Sequence, residues 1–562
     1  MTSNVEAPGR HGVAGDDSRL KKDLGPISLL FTAIGSIIGS GWLFSSLHAA
    51  EQAGPGALIS WIIGTIMFIF IGLSYSELGV MFPHSGGVAR YPHYAFGSFA
   101  SYSMGWVTWL ACAAVAPVEV SAVLTYATNY LPWLENKNTT LTGGGILVAV
   151  ALMAVFVLIN FLGMRWFARI NNVLVWWKLG MIALVIIAFL VVKFHPSNLH
   201  AFGGFTPYGW HGVFTAIPAA AIAFSFFGFR QGIELAGETD NPKRNVPMTL
   251  IGSVVICGIL YILLQLAFLG SVPGAAVSKA GWAKVGENFT GDTQVLAQFG
   301  PLAAIAGVLG LTWLAVLLYA DAIISPGDTG LIYTSVTARM SYAMGRNRNA
   351  PKSLSTVNDN GVPWISLILA FIVGCIFFLP FPSWQSLVGI VTSMTVLSFG
   401  SGPIVLLTLR KQLPDQERPF RLGGAWVIAS LALLSTNLIM YWAGWDQVWK
   451  MMAAILLGYV LLAIFQALDK GHAPKLDFAH GWWVLIWFGG IALVSYLGGY
   501  PDKSLHAGNL GVWGFYGGII ANVVLTIIVL GVAWRCQLPG HRVREILAES
   551  DNPEAVTPAA AH

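Results

Sequence analysis

Five ionisable side chains, Glu119, Lys178, Arg230, Glu234 and Asp321, fall inside stretches that are otherwise apolar. Those stretches are long enough to cross a bilayer, which takes roughly 17 to 25 residues. A charge at that depth is costly, and it persists where it pairs, carries a proton or meets a ligand. Burial makes Lys178, Glu119 and Asp321 candidates for proton exchange near neutral pH. Arg230 keeps its charge, and its guanidinium fork suits a carboxylate. The same residues could instead be buried ion pairs that hold helices in register. Arg230 would then pair with Glu119, Glu234 or Asp321.

The elements that carry these charges are interrupted by glycine. Gly35, Gly39 and Gly41 surround Ser36 and Ser40 in one apolar stretch, and Ser225-Phe226-Phe227-Gly228-Phe229-Arg230 interrupts another. Gly35 and Gly39 alone fit close helix packing through small residues. Ser40-Gly41 and a second broken stretch point instead to unwound backbone. Irregular backbone is tolerated at membrane depth only where protein or a cavity covers it. A half-helix starting there turns free N–H groups toward an anion such as a substrate carboxylate.

The chain has 562 residues, 56% hydrophobic and 10% charged, with mean hydropathy +0.68. A soluble domain carries about 25% charged residues. Apolar runs recur about fourteen times, near 27–48, 57–80, 99–130, 144–163, 171–193, 213–236, 248–270, 300–325, 363–380, 384–409, 425–445, 450–468, 481–499 and 512–534. With the N-terminus inside, twenty-two Lys and Arg fall on the inner side and six on the outer. Lys178 and Arg230 at membrane depth complete the thirty. Both termini are therefore expected in the cytoplasm.

This bias accounts for the net charge of +4 without a nucleic-acid partner. The first 23 residues lack the apolar core of a signal peptide. Cys112, Cys257, Cys375 and Cys536 have no paired spacing, so no disulfide, metal or cofactor is expected. His48, His84 and His93 sit in or near short loops and read as surface groups. Five spans precede the one holding the second break. Two five-span halves must enter the membrane from opposite sides, which is an inverted repeat with a site between its halves.

Gly35-Ser36-Ile37-Ile38-Gly39-Ser40-Gly41 resembles the first-helix motif of the amino acid–polyamine–organocation superfamily of permeases. Phe224 to Phe229, followed by Glu238-Thr239-Asp240-Asn241-Pro242-Lys243-Arg244-Asn245-Val246-Pro247, is similar to its sixth helix and the loop after it. Arg339 to Arg346, followed by Gly361-Val362-Pro363, resembles the end of its eighth helix. The resemblance covers roughly residues 20 to 470. Two further spans are similar to those of fourteen-span members such as bacterial aspartate–proton symporters.

The resemblance implies an all-α integral membrane protein with a five-plus-five inverted-repeat (LeuT-like) core over 24–410. Helices 1 and 6 would be broken, additional helices would occupy 411–536, and the tails would be 1–23 and 537–562. It also implies that Lys178 stands beside the first break, where sodium-coupled relatives hold a metal ion. Its ammonium would meet carbonyls around Gly35 to Ile37, and Lys178→Ala is expected to fold but lose proton-driven accumulation. Phe224 matches the aromatic that closes the pocket from outside. Arg230 departs from the acidic or small residue that many relatives carry there.

The expected function is secondary active transport by alternating access, with an amino acid, preferably aspartate or glutamate, moving together with a proton in a bacterial cell membrane. The substrate carboxylate would meet the amides of Ser40 and Gly41. Its amino group would meet carbonyls at Ile37 and from Phe224 through Ser225 to Phe227, and Arg230 would read its side chain. Glu238, with Lys243 and Arg244, would help close the inner gate. The alternatives are an amino acid or polyamine exchanger, a symporter of neutral or cationic amino acids, and a polytopic membrane enzyme. The short loops hold no catalytic cluster, which argues against the enzyme.

Overall fold

The computed structural model describes residues 24–83, 87–161, 165–287, 298–346, 350–358, 362–468, 476–500 and 510–551. The tail 1–23, His84 and Gly361 lie outside the described residues, as does 552–562. Among the described residues the chain is helical, and its only β-pairings are isolated bridges, Leu24 with Thr239 and Glu135 with Leu141.

The first membrane span is two helices, α1 (Pro26–Ile37) and α2 (Gly41–Ala53). Pro26 at the first turn suits α1, since its missing N–H would have no partner there. After α3 (Ala57–Met81) and the short α4 (Gly87–Phe96) come α5 (Ser98–Ala127), α6 (Gly143–Phe161) and α7 (Arg165–Val192). The sixth span is α8 (Gly209–Ala219), a tight 3₁₀ stretch Phe224–Arg230 and the single turn α9 (Gln231–Glu234), bent by 47°. Then follow α10 (Pro242–Ser271), α11 (Gly274–Ala280) and α12 (Pro301–Val308), leading to α13 (Thr312–Arg346), α14 (Trp364–Phe377), α15 (Trp384–Phe399) and α16 (Ser401–Gln412). The last membrane helices are α17 (Ala425–Ala443), α18 (Trp445–Leu468), the turn α19 (Phe478–Gly481) with α20 (Trp483–Leu497), and α21 (Phe515–Cys536).

Among the described residues, eleven stretches are long and apolar enough to cross a membrane, and the bent sixth span makes twelve. One of the eleven, Gly41–Met81, contains both α2 and α3, divided at Gly54–Gly56. Counting these two separately and adding the shorter apolar α14 returns the expected fourteen. The core is the five-plus-five inverted repeat with broken helices 1 and 6, followed by four more helices. Burial ranks the spans: that of α15 and α16 is 100% buried and that of α5 94%, whereas α18 is 22% and α6 28%. The first two therefore form the interior wall of the site, while α6 and α18 face outward.

Two expectations differ. The eighth span runs over Thr312–Arg346 rather than 300–325. Leu309 ends α12, and Gly310 takes a left-handed φ of 74°. The polar run Ser325-Pro326-Gly327-Asp328 lies inside the long helix, where its side chains have partners, instead of marking an end. The second difference is that Gln537–Asp551 is not a free tail. A helix, α22 (Gly540–Asp551), packs on α4, with Val543 buried and the Leu538 amide donating to Ala95 O.

Candidate functional site

The break in the first span covers Ile38 to Ser40, and four helices supply polar partners to it and to the turn before it. From α7, Lys178 Nζ donates to Gly35 O at 2.8 Å, to Asp328 Oδ2 at 2.6 Å and to Thr329 Oγ1 at 3.3 Å. Thr329, on α13, in turn lies 3.4 Å from the carbonyls of Gly35 and Ile38. Lys178 and Asp328 are fully buried, so each is the other's charge partner. From α5, Glu119 Oε2 accepts the Ser40 amide at 2.7 Å. From α15, Trp384 Nε1 donates to Ser40 Oγ at 2.9 Å.

Glycine is required here by space. A Cβ on Gly39 would stand 2.5 Å from Glu119 Oε1, and one on Gly41 would collide with Ser225 Oγ. A Cβ on Gly228 would collide with the backbone of Ser36 and Ile37. Gly228 thus lets the sixth span lie directly on the unwound part of the first. It is not itself the point of breakage. The sixth span breaks at Ala220–Ala223, where Ala221 takes a left-handed φ of 63°. For a residue with a Cβ that conformation costs about 1–2 kcal/mol. Phe224–Arg230 then continues as 3₁₀ helix, and Ser225 Oγ donates to Ala221 O at 2.9 Å.

Arg230 ends this stretch. Its Nη2 lies 3.4 Å from Glu234 Oε1 and 3.9 Å from Met340 Sδ, and the guanidinium carbon is 5.7 Å from the centre of the Phe399 ring. Its Nε hydrogen has no acceptor, although the side chain is buried. The internal pair with Glu234 is one of the alternatives open in the sequence.

Charged side chains at a broken helix, beside a second broken helix in the corresponding position, describe a site between inverted repeats. A family profile described as amino acid permease matches residues 24–462. The chain belongs to the amino acid permease family. It is 37% identical to the glutamate/serine transporter of Bacillus subtilis (strain 168) over 489 residues, 86% of this chain and 88% of that protein. It is 34% identical to that organism's aspartate-proton symporter over 488 residues, 85% of this chain and 91% of the relative. A branched-chain amino acid permease of the same bacterium is 28% identical over 476 residues. The permease is accordingly an amino acid transporter of the amino acid–polyamine–organocation superfamily and not an enzyme.

The remaining expected site residues of the permease are distributed around the breaks. Phe224 is buried, edge-on to Phe227 at 5.7 Å and to Trp384 at 6.5 Å. Ile37 O, expected to face the amino group, accepts the Gly39 amide at 3.1 Å and lies 3.5 Å from Tyr261 Oη. Asp321 lies about two turns before Asp328 on α13, accepting from Trp177 Nε1 and Ser325 Oγ, both at 2.8 Å. Glu238 O accepts the Leu24 amide at 3.1 Å, and Thr239 Oγ1 donates to Leu24 O at 2.8 Å, so the start of α1 is tied to the loop after the sixth span. Lys243 pairs with Glu417 at 3.4 Å.

Four residues at or near the site escaped the sequence reading. Asp328 and Thr329 fell outside a span drawn too short, although a Pro-Gly-Asp-Thr run beside apolar sequence was a usable signal. Trp384 opens the tenth span and is one of 22 tryptophans, so nothing in its type marks it. Glu77, fully buried at the end of α3, accepts from Arg410 Nε at 2.9 Å, from Arg410 Nη2 at 2.5 Å and from the Leu422 amide at 2.7 Å. It ties the second span to the tenth on the face that carries α22.

On the opposite face, Glu135 in the loop between α5 and α6 is buried and accepts from Thr125 Oγ1 at 2.7 Å. Burial pushes its carboxyl up to about 8, against a weaker opposing effect of the threonine hydroxyl.

Proposed function

We propose that this permease is a proton-coupled symporter of acidic amino acids, working by alternating access in a bacterial inner membrane with both termini in the cytoplasm. The observation that carries proton coupling is the Lys178 ammonium bonded to Gly35 O and Asp328. A protein-bound cation stabilises the unwound first span through its carbonyls. Loss of one proton from the Lys178–Asp328 pair would remove an ammonium–carbonyl contact and loosen that segment during the cycle. Glu119 and Asp321 are further proton carriers within reach of the same helices.

The substrate class is supported by the two relatives, whose names specify glutamate, serine and aspartate. The substrate carboxylate is assigned to the amide end of α2 at Ser40 and Gly41, with Phe224, Ser225 and Phe227 forming the opposite wall. Arg230 is the only Lys or Arg in the sixth span, and its Nε hydrogen, which has no acceptor, is assigned to the side-chain carboxylate. Phe224 closes the pocket on one face, and the Leu24–Glu238 contact closes the other.

The test is uptake of labelled aspartate, glutamate and serine into proteoliposomes with and without an inward proton gradient, with lysine and alanine as competitors. Gradient-driven aspartate uptake, lost in Arg230→Ala while serine uptake persists, is the expected result. Uptake indifferent to the gradient and dependent on internal amino acid would identify an exchanger.

A further inference from the structure

The amide end of α2, the seat assigned above to the substrate carboxylate, already holds a carboxylate of the protein itself. Glu119 Oε2 sits 2.7 Å from the Ser40 amide. Glu119 is 1% exposed and its second oxygen, Oε1, has no hydrogen-bond partner. That oxygen lies against Gly39, the residue without a side chain. Ser36 Oγ, in the last turn of α1 before the break, is likewise buried without a partner. The other charges near Glu119 are the Lys178–Asp328 pair, which neutralise one another. A structural cap would be expected to use both of its oxygens, because a buried acceptor left unpaired loses its hydration without return. Glu119 is instead held by Ser40 alone, through its amide and its hydroxyl, with Oε1 left over, at the end of a helix that attracts anions.

We propose that Glu119 is a tethered stand-in for the substrate carboxylate. It occupies the Ser40 amide when no substrate does, and an arriving substrate must displace it. The consequence concerns how a symporter differs from an exchanger. A symporter must return through the membrane empty, yet an empty carrier would have to bury an unsatisfied helix end, which is costly in a closed, water-poor site. With Glu119 on that end the empty carrier can close and return. The benefit is balanced by competition: apparent substrate affinity is reduced by the fraction of protein in which Glu119 holds the seat. This inference rests on the assignment of the substrate carboxylate to α2, and it predicts effects of opposite sign on affinity and on turnover.

The experiment uses the full-length permease purified in detergent and in proteoliposomes, comparing wild type with Glu119→Ala and the isosteric Glu119→Gln. Equilibrium binding is read with labelled aspartate, or with serine if wild type prefers it. Net uptake into substrate-free vesicles is compared with exchange into vesicles preloaded with the same amino acid. Glu119→Ala should bind about tenfold more tightly, a change of about 1.4 kcal/mol, and its net uptake should fall about tenfold relative to exchange. Glu119→Gln, which keeps an acceptor but not the charge, should shift both in the same direction by less. Weaker binding in both variants would make Glu119 a substrate contact or a structural cap and overturn the inference. So would affinity and the net-to-exchange ratio that both stay at the wild-type value. A wild-type protein that moves none of these amino acids would fail the proposed function itself, before any variant is compared.

Discussion

The two helix breaks of this permease are held by different physics. The first is held by polar groups from other helices: the Lys178 ammonium on Gly35 O, the Glu119 carboxylate on the Ser40 amide, and the Trp384 indole on the Ser40 hydroxyl. The second satisfies itself, through one left-handed alanine and a run of 3₁₀ helix, and is otherwise held by aromatic packing of Phe226 and Phe229 on Phe68 and of Phe227 and Phe229 on Phe399. Two of the three partners at the first break, Lys178 and Glu119, are ionisable, so in the proposed cycle proton transfer would act there. The second carries one ion pair, Arg230 with Glu234, at its end and is otherwise apolar. The first break is thus suited to respond to ions and substrate, and the second to follow through the Gly228 contact.

Removing the cation from the first break should have the largest effect. Lys178→Ala strands the buried Asp328 carboxylate, and breaking a buried pair costs about 3–5 kcal/mol. The expectation that Lys178→Ala simply folds and loses coupling therefore needs amending: the double variant Lys178→Ala/Asp328→Asn should recover much of the melting temperature but not gradient-driven uptake. If the single and double variants melt alike, the pair is not the holding element of that break.

The contact between the breaks comes next. Gly228→Ala drives a methyl group into the backbone of Ser36 and Ile37 and should destabilise by about 1–3 kcal/mol. Gly180→Ala on α7, where a Cβ meets nothing within 4 Å, should instead stabilise by about 0.5–1 kcal/mol through helix propensity. Thermal unfolding of both variants checks the sign; destabilisation of the two by the same amount would mean that helix propensity, not the close approach, governs the site.

Glu135 provides a titrating group remote from both breaks. Its folded-state carboxyl titrates near 8 rather than the usual 4.5, so between those values the folded protein holds a proton that the unfolded chain has released. Its contribution is complete below about pH 4.5 and is lost as pH rises toward 8, with a slope of at most about 1.4 kcal/mol per pH unit. Melting temperature against pH should fall less steeply for Glu135→Gln over that window, while the pH dependence of transport, if it belongs to the first break, stays as in wild type.

The smallest effect is expected at Trp384. Trp384→Phe retains an aromatic ring beside Phe44 but removes the bond to Ser40 Oγ, worth about 0.5–1.5 kcal/mol. Combined with Ser40→Ala, the two losses should be less than additive if that bond is the shared interaction.

Much of this architecture was legible in the chain. Hydropathy set the number of spans, because each helix must bury its backbone in its own hydrogen bonds at membrane depth. The Gly35–Gly41 motif located the first break, and Lys178 was legible as its neighbour. The sixth span was located correctly but broken at the wrong residue: Ala221, not Gly228, bends the backbone, since packing imposed a conformation that alanine does not favour. Asp328 was hidden because a charged, proline-containing run normally ends a span, and only its distant partner Lys178 explains why this one continues.

The sequence by itself determined the membrane-spanning class, the inverted halves and the residue types available at depth, all of which follow from local composition and order. The tertiary structure decided the pairings. Lys178 with Asp328, Glu119 with the Ser40 amide, Trp384 with Ser40 and Arg230 with Glu234 are choices among several charges of similar cost. A charge buried in a membrane protein needs a partner, but which partner it meets depends on the approach of helices far apart in sequence, and that approach is set by the small residues and aromatic surfaces where they touch.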